Sequence, residues 1–162
     1  MSVYFIYPFI YNVLLGFQKV DTTSFISGKS VYNGLNNYRE LFKLSAFSKA
    51  IKNTLIFTAF SILFQFGIGF MLALIFNRDF PGERYLRGLL LIPWFLPLIV
   101  SANAFRFFFS EQGIVNAFLL SHNVIDKPIG WLTNPNLVIW TLTMINIWIG
   151  IPFNYILLHT GL

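Results

Sequence analysis

The chain has 162 residues, of which 56% are hydrophobic, 19% aromatic and only 10% charged, with a formal net charge of +5 and a mean hydropathy of +0.68. A soluble domain carries about 25% charged residues, so this composition excludes an ordinary soluble fold and points to a polytopic membrane protein. With no cysteine, disulfides, thiolate metal sites and cysteine nucleophiles are excluded. The basic residues fall mostly between apolar runs, where they set topology or meet anionic headgroups rather than nucleic acid.

The first apolar run, Val3 to Phe17 (VYFIYPFIYNVLLGF), is shorter than the roughly 20 residues needed to cross about 30 Å of hydrocarbon. It reads as the outer part of a membrane helix whose beginning is missing, a partial first helix over residues 1–17; an interfacial or re-entrant segment stays open as the alternative. No cleavable signal peptide is evident, because the first positive charge, Lys19, follows the apolar run instead of preceding it.

Residues 18–49 are polar and mixed, with Lys19, Asp21, Lys29, Arg39, Glu40, Lys43 and Lys49. Within them, Asn37 to Ala50 is expected to form a short amphipathic helix. Asn37 stands as its cap with Glu40 three residues on, as in a capping box, and Tyr38, Leu41 and Phe42 make one apolar face. Such a helix lies either at the membrane surface or on the bundle.

The second span, Asn53 to Phe76, contains no charged residue. At 1.5 Å per residue it reaches roughly 36 Å, enough to cross with some tilt. Gly69 and Ala73 form a small-xxx-small pair that lets another helix approach closely. A tight loop is expected over residues 77–88, with Arg78, Arg84 and Arg87 beside Asp79 and Glu83 and a turn at Pro81-Gly82.

The third span, about residues 88–110, holds Pro93 and Pro97. Each proline deletes a backbone hydrogen bond and clashes with the preceding turn, at roughly 3 kcal/mol in a helix interior. A membrane helix tolerates this where neighbours satisfy the freed carbonyls. The segment is therefore expected to be broken or kinked and packed inside a bundle, with Arg106 snorkelling to the interface. Residues 110–136 are polar, with Gly113, Pro128, Gly130 and Pro135 as breakers, and a fourth span covers about 137–159, interrupted by Gly150 and Pro152. The expected fold is an all-α membrane protein, a helical bundle of three full transmembrane helices plus the partial first one. Residues 18–49 form an external segment and residues 50–162 an incomplete transmembrane domain.

No catalytic constellation and no metal set is evident, so the chain is not expected to be an enzyme. The acids Asp21, Asp79, Asp126, Glu40, Glu83 and Glu111 all fall in expected loops or at span ends, whereas a proton-coupled pump usually needs an ionisable group in the membrane interior. His122 lies in a loop, and His159 reads as an interfacial residue at the end of the fourth span. No G-x-x-x-x-G-K-[ST] phosphate loop occurs, so ATP-driven work needs a partner. What remains within the spans is neutral and polar. Gln65, Asn103, Asn146 and Asn154 are the candidate solute-path residues, alongside Ser101. Such groups can hydrogen-bond a polar solute, or join helices to one another, their commoner role in bundles. Charge counting does not orient the bundle. Three arginines crowd loop 77–88, but Lys19, Lys29, Arg39, Lys43, Lys49 and Lys52 fall in 18–52, and only Lys127 in 110–136.

Several motifs occur in a fixed order. Tyr7-Pro8 leads to Gly16-Phe17; Gly34-Leu35-Asn36-Asn37-Tyr38 leads to Leu41-Phe42; Asn53-Thr54 opens the second span and Leu72-Ala73-Leu74 lies near its end. Arg87-Gly88 precedes Pro93-Trp94 and Pro97, followed by Phe105-Arg106-Phe107 and by Gly113 with Asn116. Trp148, Gly150, Pro152 and Phe153 then precede Gly161-Leu162. Each is weak alone, but in this order across nearly the whole chain they are specific. The sequence resembles the inner-membrane permease subunits of binding-protein-dependent ABC importers, in the branch that includes maltose and glycerol-3-phosphate permeases.

The resemblance implies that loop 77–88 is cytoplasmic and that residues 18–49 and 110–136 face outward, in a multi-pass protein of the cell inner or plasma membrane. It implies alternating access, with flex points at Pro93, Pro97 and Pro152. The solute would be a sugar or a related polyol. The implied partners, within the lipid bilayer, are a second permease subunit, ATP-binding subunits and an extracytoplasmic solute-binding protein. ATP is bound by those separate subunits, so no cofactor is expected in this chain. In the family a Glu-Ala-Ala loop and two further helices follow the fourth span, so the chain reads as truncated. The alternative is a truncated, non-transporting membrane protein, an assembly or regulatory remnant.

Overall fold

The computed structural model describes residues 2–20, 24, 26, 28 and 31–162, with backbone only at Ser2 and Val3. Met1 of the expected first helix, and Asp21 and Lys29 of the expected external segment, lie outside the described residues. The chain forms two compact units, Met1–Lys52 and Asn53–Leu162.

In the first unit, α1 (Ser2–Leu15) is apolar and carries Pro8 inside it. A two-stranded antiparallel ribbon follows, an addition to the all-α expectation: β1 (Gln18–Lys19) pairs with β2 (Val31–Tyr32), Gln18 opposite Tyr32. The amphipathic helix is shorter than its sequence suggests, α2 spanning only Asn36–Lys43. Leu44 separates it from α3 (Ser45–Phe76) by adopting extended backbone, φ −72° and ψ 118°. Its N–H closes α2 on the Leu41 carbonyl (3.1 Å), and its own carbonyl accepts the Phe47 N–H (3.0 Å) at the start of α3.

The capping box is not formed either. The cap position is Leu35, with no side-chain cap bond. The Asn37 amide is committed elsewhere: Nδ2 donates to the carbonyls of Gly16 and Gln18, both at 2.9 Å, and Oδ1 accepts from Asn33 Nδ2 at 2.9 Å. Glu40 pairs with Lys43 instead. Asn37 thus ties the turn after α1 to α2, and Tyr38 packs on Phe17 with ring centroids 5.5 Å apart.

In the second unit, the loop after α3 is shorter than 77–88. Gly82, at φ +86°, caps α4 (Glu83–Phe95), so Arg84 and Arg87 stand on a helix rather than in a loop. An acid at the first helical position opposes the helix dipole favourably, and Glu83 pairs with Arg87 one turn on. α4 runs through Pro93 and stops at Phe95, and α5 (Leu98–Phe108) then departs at 97°. The cause lies at Pro97. A proline disfavours helical backbone in the residue before it, and Leu96 is extended, at φ −75° and ψ 131°.

A short helix, α6 (Ile114–Ser121), lies inside the segment read as polar loop, and α7 (Val138–His159) closes the chain with Pro152 inside it. Among the described residues α3 and α7 are long and apolar enough to cross a membrane, and the bent pair α4–α5 makes a third span if taken as one.

The core gathers where α3, α4 and α7 meet: Ala73, Phe76 and Tyr155 are buried, with Leu72, Phe80, Leu90, Leu91 and Leu158 packed against them. The Gly69–Ala73 pair sits at this contact. A Cβ on Gly69 would lie 2.8 Å from Asn154 Cβ and 3.1 Å from the Tyr155 backbone nitrogen, so α3 approaches α7 this closely only without a side chain there. Many large apolar side chains face outward, among them Leu63, Met71, Phe95 and Leu98. That is an ordinary surface for a lipid-facing bundle and an implausible one in water.

Candidate functional site

A polar seam joins α3 to α7. Asn146 Nδ2 donates to Ser61 Oγ (2.9 Å), and Gln65 Nε2 donates to the Asn146 carbonyl (2.9 Å). Asn154 Nδ2 donates to the Gly150 carbonyl (3.0 Å) and, at 3.5 Å, reaches Gln65 Oε1. The helical phase explains the set. Ser61, Gln65 and Gly69 recur every four residues on α3, as Asn146, Gly150 and Asn154 do on α7, so each triplet lies on one face. Gly150 is part of the fit, because a Cβ there would overlap the Gln65 carboxamide.

The structure therefore brings together three of the four candidate solute-path residues, Gln65, Asn146 and Asn154, all half-buried. Their amides are partly spent on joining helices. Among the described residues Asn146 Oδ1 and Asn154 Oδ1 accept no hydrogen bond. Asn103 stands apart, exposed on α5. Beside the seam lies a cavity of about 440 Å³, bounded by Phe57, Leu98, Phe105, Arg106, Leu142, Ile145 and Asn146 among others. Its apolar lining carried no sequence signal, since Leu, Ile and Phe occur throughout the chain.

Of the three prolines, Pro93 and Pro152 are buried and line one cavity of about 270 Å³ between α4 and α7, while Pro97 is exposed at the break. Of the arginines, Arg78 and Arg84 are exposed. Arg87 is half-buried, pairs with Glu83 and donates from Nη2 to the Phe76 carbonyl at the end of α3 (3.0 Å). Close by, Tyr155 and His159 stack with ring centroids 5.4 Å apart. Arg87 Nε, Tyr155 Oη and His159 Nδ1 are buried without a hydrogen-bond partner among the described residues.

Sequence reasoning missed the organisation of residues 110–133. Asn116 is 1% exposed, and its amide has five hydrogen-bonding partners, two of the three carbonyls at Nδ2 sharing one hydrogen. Nδ2 donates to the carbonyls of Ser110, Glu111 and Ile129, at 3.2, 3.1 and 2.9 Å. Oδ1 accepts from the Ile129 N–H at 3.0 Å and the Trp131 indole at 3.1 Å. Gly113 belongs to the same knot, since a Cβ there would overlap the carbonyls of Phe107 and Phe108. Among the described residues no three His, Asp or Glu side chains converge as a metal site would require.

Two span-length apolar helices, a sharply bent pair of shorter apolar helices and a polar seam beside a cavity define a helical membrane protein. The chain matches no protein-family model. It is 30% identical over 130 residues to the trehalose/maltose transport system permease protein MalF of Thermococcus litoralis, covering 80% of this chain and 43% of the relative. To the lactose transport system permease protein LacF of Rhizobium radiobacter it is 29% identical over 141 residues, 83% of this chain and 44% of the relative. To the sulfoquinovosyl glycerol transport system permease protein SmoG of Agrobacterium fabrum it is 29% identical over 163 residues, covering 100% of this chain and 52% of the relative. The fold matches a chain of a bacterial alginate ABC transporter, solved with an alginate pentasaccharide-bound periplasmic protein, at TM-score 0.71 and 25% identity over 98% of this chain and 53% of that one. The chain belongs to the permease family of ABC transport systems. It spans about half the length of the curated relatives it matches.

Proposed function

We propose that this chain is a membrane-spanning part of an ATP-driven importer, forming part of the translocation path for a sugar or related polar solute delivered by a binding protein. One observation carries this reading: the similarity to permeases named for maltose, lactose and sulfoquinovosyl glycerol transport runs along 80% to 100% of the chain.

In this reading α3, the broken pair α4–α5 and α7 are three full spans of an incomplete transmembrane domain over residues 50–162. Residues 1–17 form a partial first span and residues 18–49 an external segment. The turn after α3 and the first turns of α4, with Arg78, Arg84 and Arg87, face the cytoplasm of a multi-pass inner- or plasma-membrane protein. Gln65, Asn146, Asn154 and Asn103 contribute to the path. The spare acceptor of Asn146, which lines the cavity beside the seam, is the best placed of them. Pro93, Pro97 and Pro152 are its flex points. A second permease subunit completes the path, separate subunits bind and hydrolyse ATP, and an extracytoplasmic binding protein supplies solute.

The test is reconstitution of this chain with those partners in proteoliposomes, measuring ATP-dependent uptake of maltose, lactose and trehalose. Uptake of one of them, lowered by Asn146→Leu at equal assembly, is expected. A fully assembled complex that hydrolyses ATP yet moves no sugar would overturn the reading.

A further inference from the structure

A second recess, of about 380 Å³, opens beside the Asn116 knot and is bordered by Arg106, Glu111, Gln112, Trp131 and Thr133. We infer that it is a sugar-binding subsite, an antechamber at the C-terminal end of α5 that holds a neutral sugar before it enters the cavity beside the seam. The inference rests on the importer reading above and deepens it.

Three observations support it. The first is preorganisation. Asn116 fixes the backbone carbonyls of Ser110 and Glu111 on one wall and the Trp131 indole on the other, so both walls are held by one buried amide. A site whose supporting groups are locked in this way loses little freedom when a ligand binds. The second is unspent polarity. Arg106, Glu111 and Gln112 border the same recess, yet among the described residues their side chains make no hydrogen bond or ion pair, with each other or with any neighbour. A guanidinium only donates and a carboxylate only accepts. A ligand joining them must accept at one end and donate at the other, and a sugar hydroxyl does both. Trp131, its N–H already engaged by Asn116 and its ring packed near that of Phe109, adds apolar surface to the recess for the apolar side of a pyranose.

The third observation is position. Arg106 borders both the recess and the 440 Å³ cavity, so a ligand held in the first lies next to the second. A volume of this size falls in the range of small-molecule sites, about 300–1,000 Å³. With one charge of each sign on its border, the recess does not favour an anion: a sugar acid would meet the Glu111 carboxylate.

The test is saturation-transfer NMR of maltose, lactose and trehalose against the full chain in nanodiscs. At least one sugar is expected to give a signal. Its affinity is expected to fall about tenfold in Glu111→Gln, which replaces a charged acceptor, and to fall in Gln112→Ala, while His122→Gln, outside the recess, leaves it unchanged. The inference is overturned if none of the three sugars gives a signal, if the rim variants bind as well as the parent, or if a zwitterion such as glycine betaine gives the signal instead. Uptake by the assembled complex separates this from the parent reading. Uptake that persists with unaltered binding in the rim variants defeats the subsite alone. Rim-dependent binding without any uptake defeats the import reading alone.

Discussion

Gly150 on α7 lies so close to the Gln65 carboxamide on α3 that a Cβ at position 150 would occupy the same space. The two helices are therefore matched by a hydrogen-bonding side chain on one and the absence of a side chain on the other. Gly69 reverses the arrangement, with the missing side chain on α3 and the Asn154–Tyr155 backbone on α7. The two glycines answer differently to alanine. At Gly150 the obstacle is the end of a flexible side chain, which can swing aside at the cost of its bond to Asn146, and interhelical hydrogen bonds in membranes average about 0.6 kcal/mol. Alanine also gains up to about 1 kcal/mol of helix propensity. At Gly69 the obstacle includes backbone, which cannot yield, and overpacking costs about 1–3 kcal/mol. Gly69→Ala is expected to lower the unfolding temperature in detergent clearly more than Gly150→Ala, whose effect stays within about 1 kcal/mol.

Asn116→Leu removes an amide that satisfies three carbonyls, one backbone N–H and one indole N–H. Leaving buried polar groups unpaired costs about 1–3 kcal/mol each, so a loss of at least about 3 kcal/mol is expected, confined to residues 110–133. Asn116→Asp keeps the acceptor but turns a carboxylate toward three carbonyls, and it fails as well. Limited proteolysis between α5 and α7 reads the outcome. Cleavage there is expected to quicken while α3 and α7 stay protected.

The parts of this fold that follow from chain-wide periodicity were legible in the sequence. The fourth apolar run coincides with α7 to within a residue and the second shares its last residue, Phe76, with α3, but α3 begins at Ser45, well before the uncharged stretch, because Lys49 and Lys52 stand in its first turns without breaking it. The two prolines marked the third run for a break, but spacing alone could not choose between them. The structure places the bend at Pro97 because Leu96, not Ile92, leaves the helix. Asn37 and Asn116 show the limit. Each looks in sequence like a cap or a loop residue, and each spends part of its amide on partners 13 to 21 residues away. Local pattern carries no record of such partners. The same holds for the cavity beside the seam, which exists only where three separated helices meet.

Arg87 serves two groups at once, the Glu83 carboxylate and the Phe76 carbonyl at the end of α3. Half-exposed ion pairs contribute little, about 0–1 kcal/mol. The carbonyl bond instead closes a helix terminus and opposes the negative end of its dipole. Glu83→Gln is therefore expected to be nearly neutral, and Arg87→Ala to cost about 1 kcal/mol more. Thermal unfolding of the two single variants and the double variant checks this. Equal losses in both singles would assign the whole effect to the ion pair.

Pro97→Ala tests whether the 97° bend belongs to the proline or to the packing around it. Without the pyrrolidine ring Leu96 regains access to helical backbone, and position 97 recovers an N–H that can bond one turn back. The added hydrogen bond and the relief at Leu96 both favour one continuous helix over Glu83–Phe108. The apolar lining from Leu98 and Phe105 opposes it, since straightening would draw α5 away from the cavity it bounds. A proline in a helix interior costs roughly 3 kcal/mol, so its removal outweighs the few side-chain contacts on offer, and α4 and α5 are expected to straighten measurably. Spin labels at Arg84 and Phe107, both exposed, report the change as a longer distance by pulsed electron resonance in nanodiscs. In an assembled transporter the same substitution is expected to lower the rate of uptake more than the amount of protein in the membrane. An unchanged distance would assign the bend to the surrounding helices, and unchanged uptake at equal expression would remove Pro97 from any moving part.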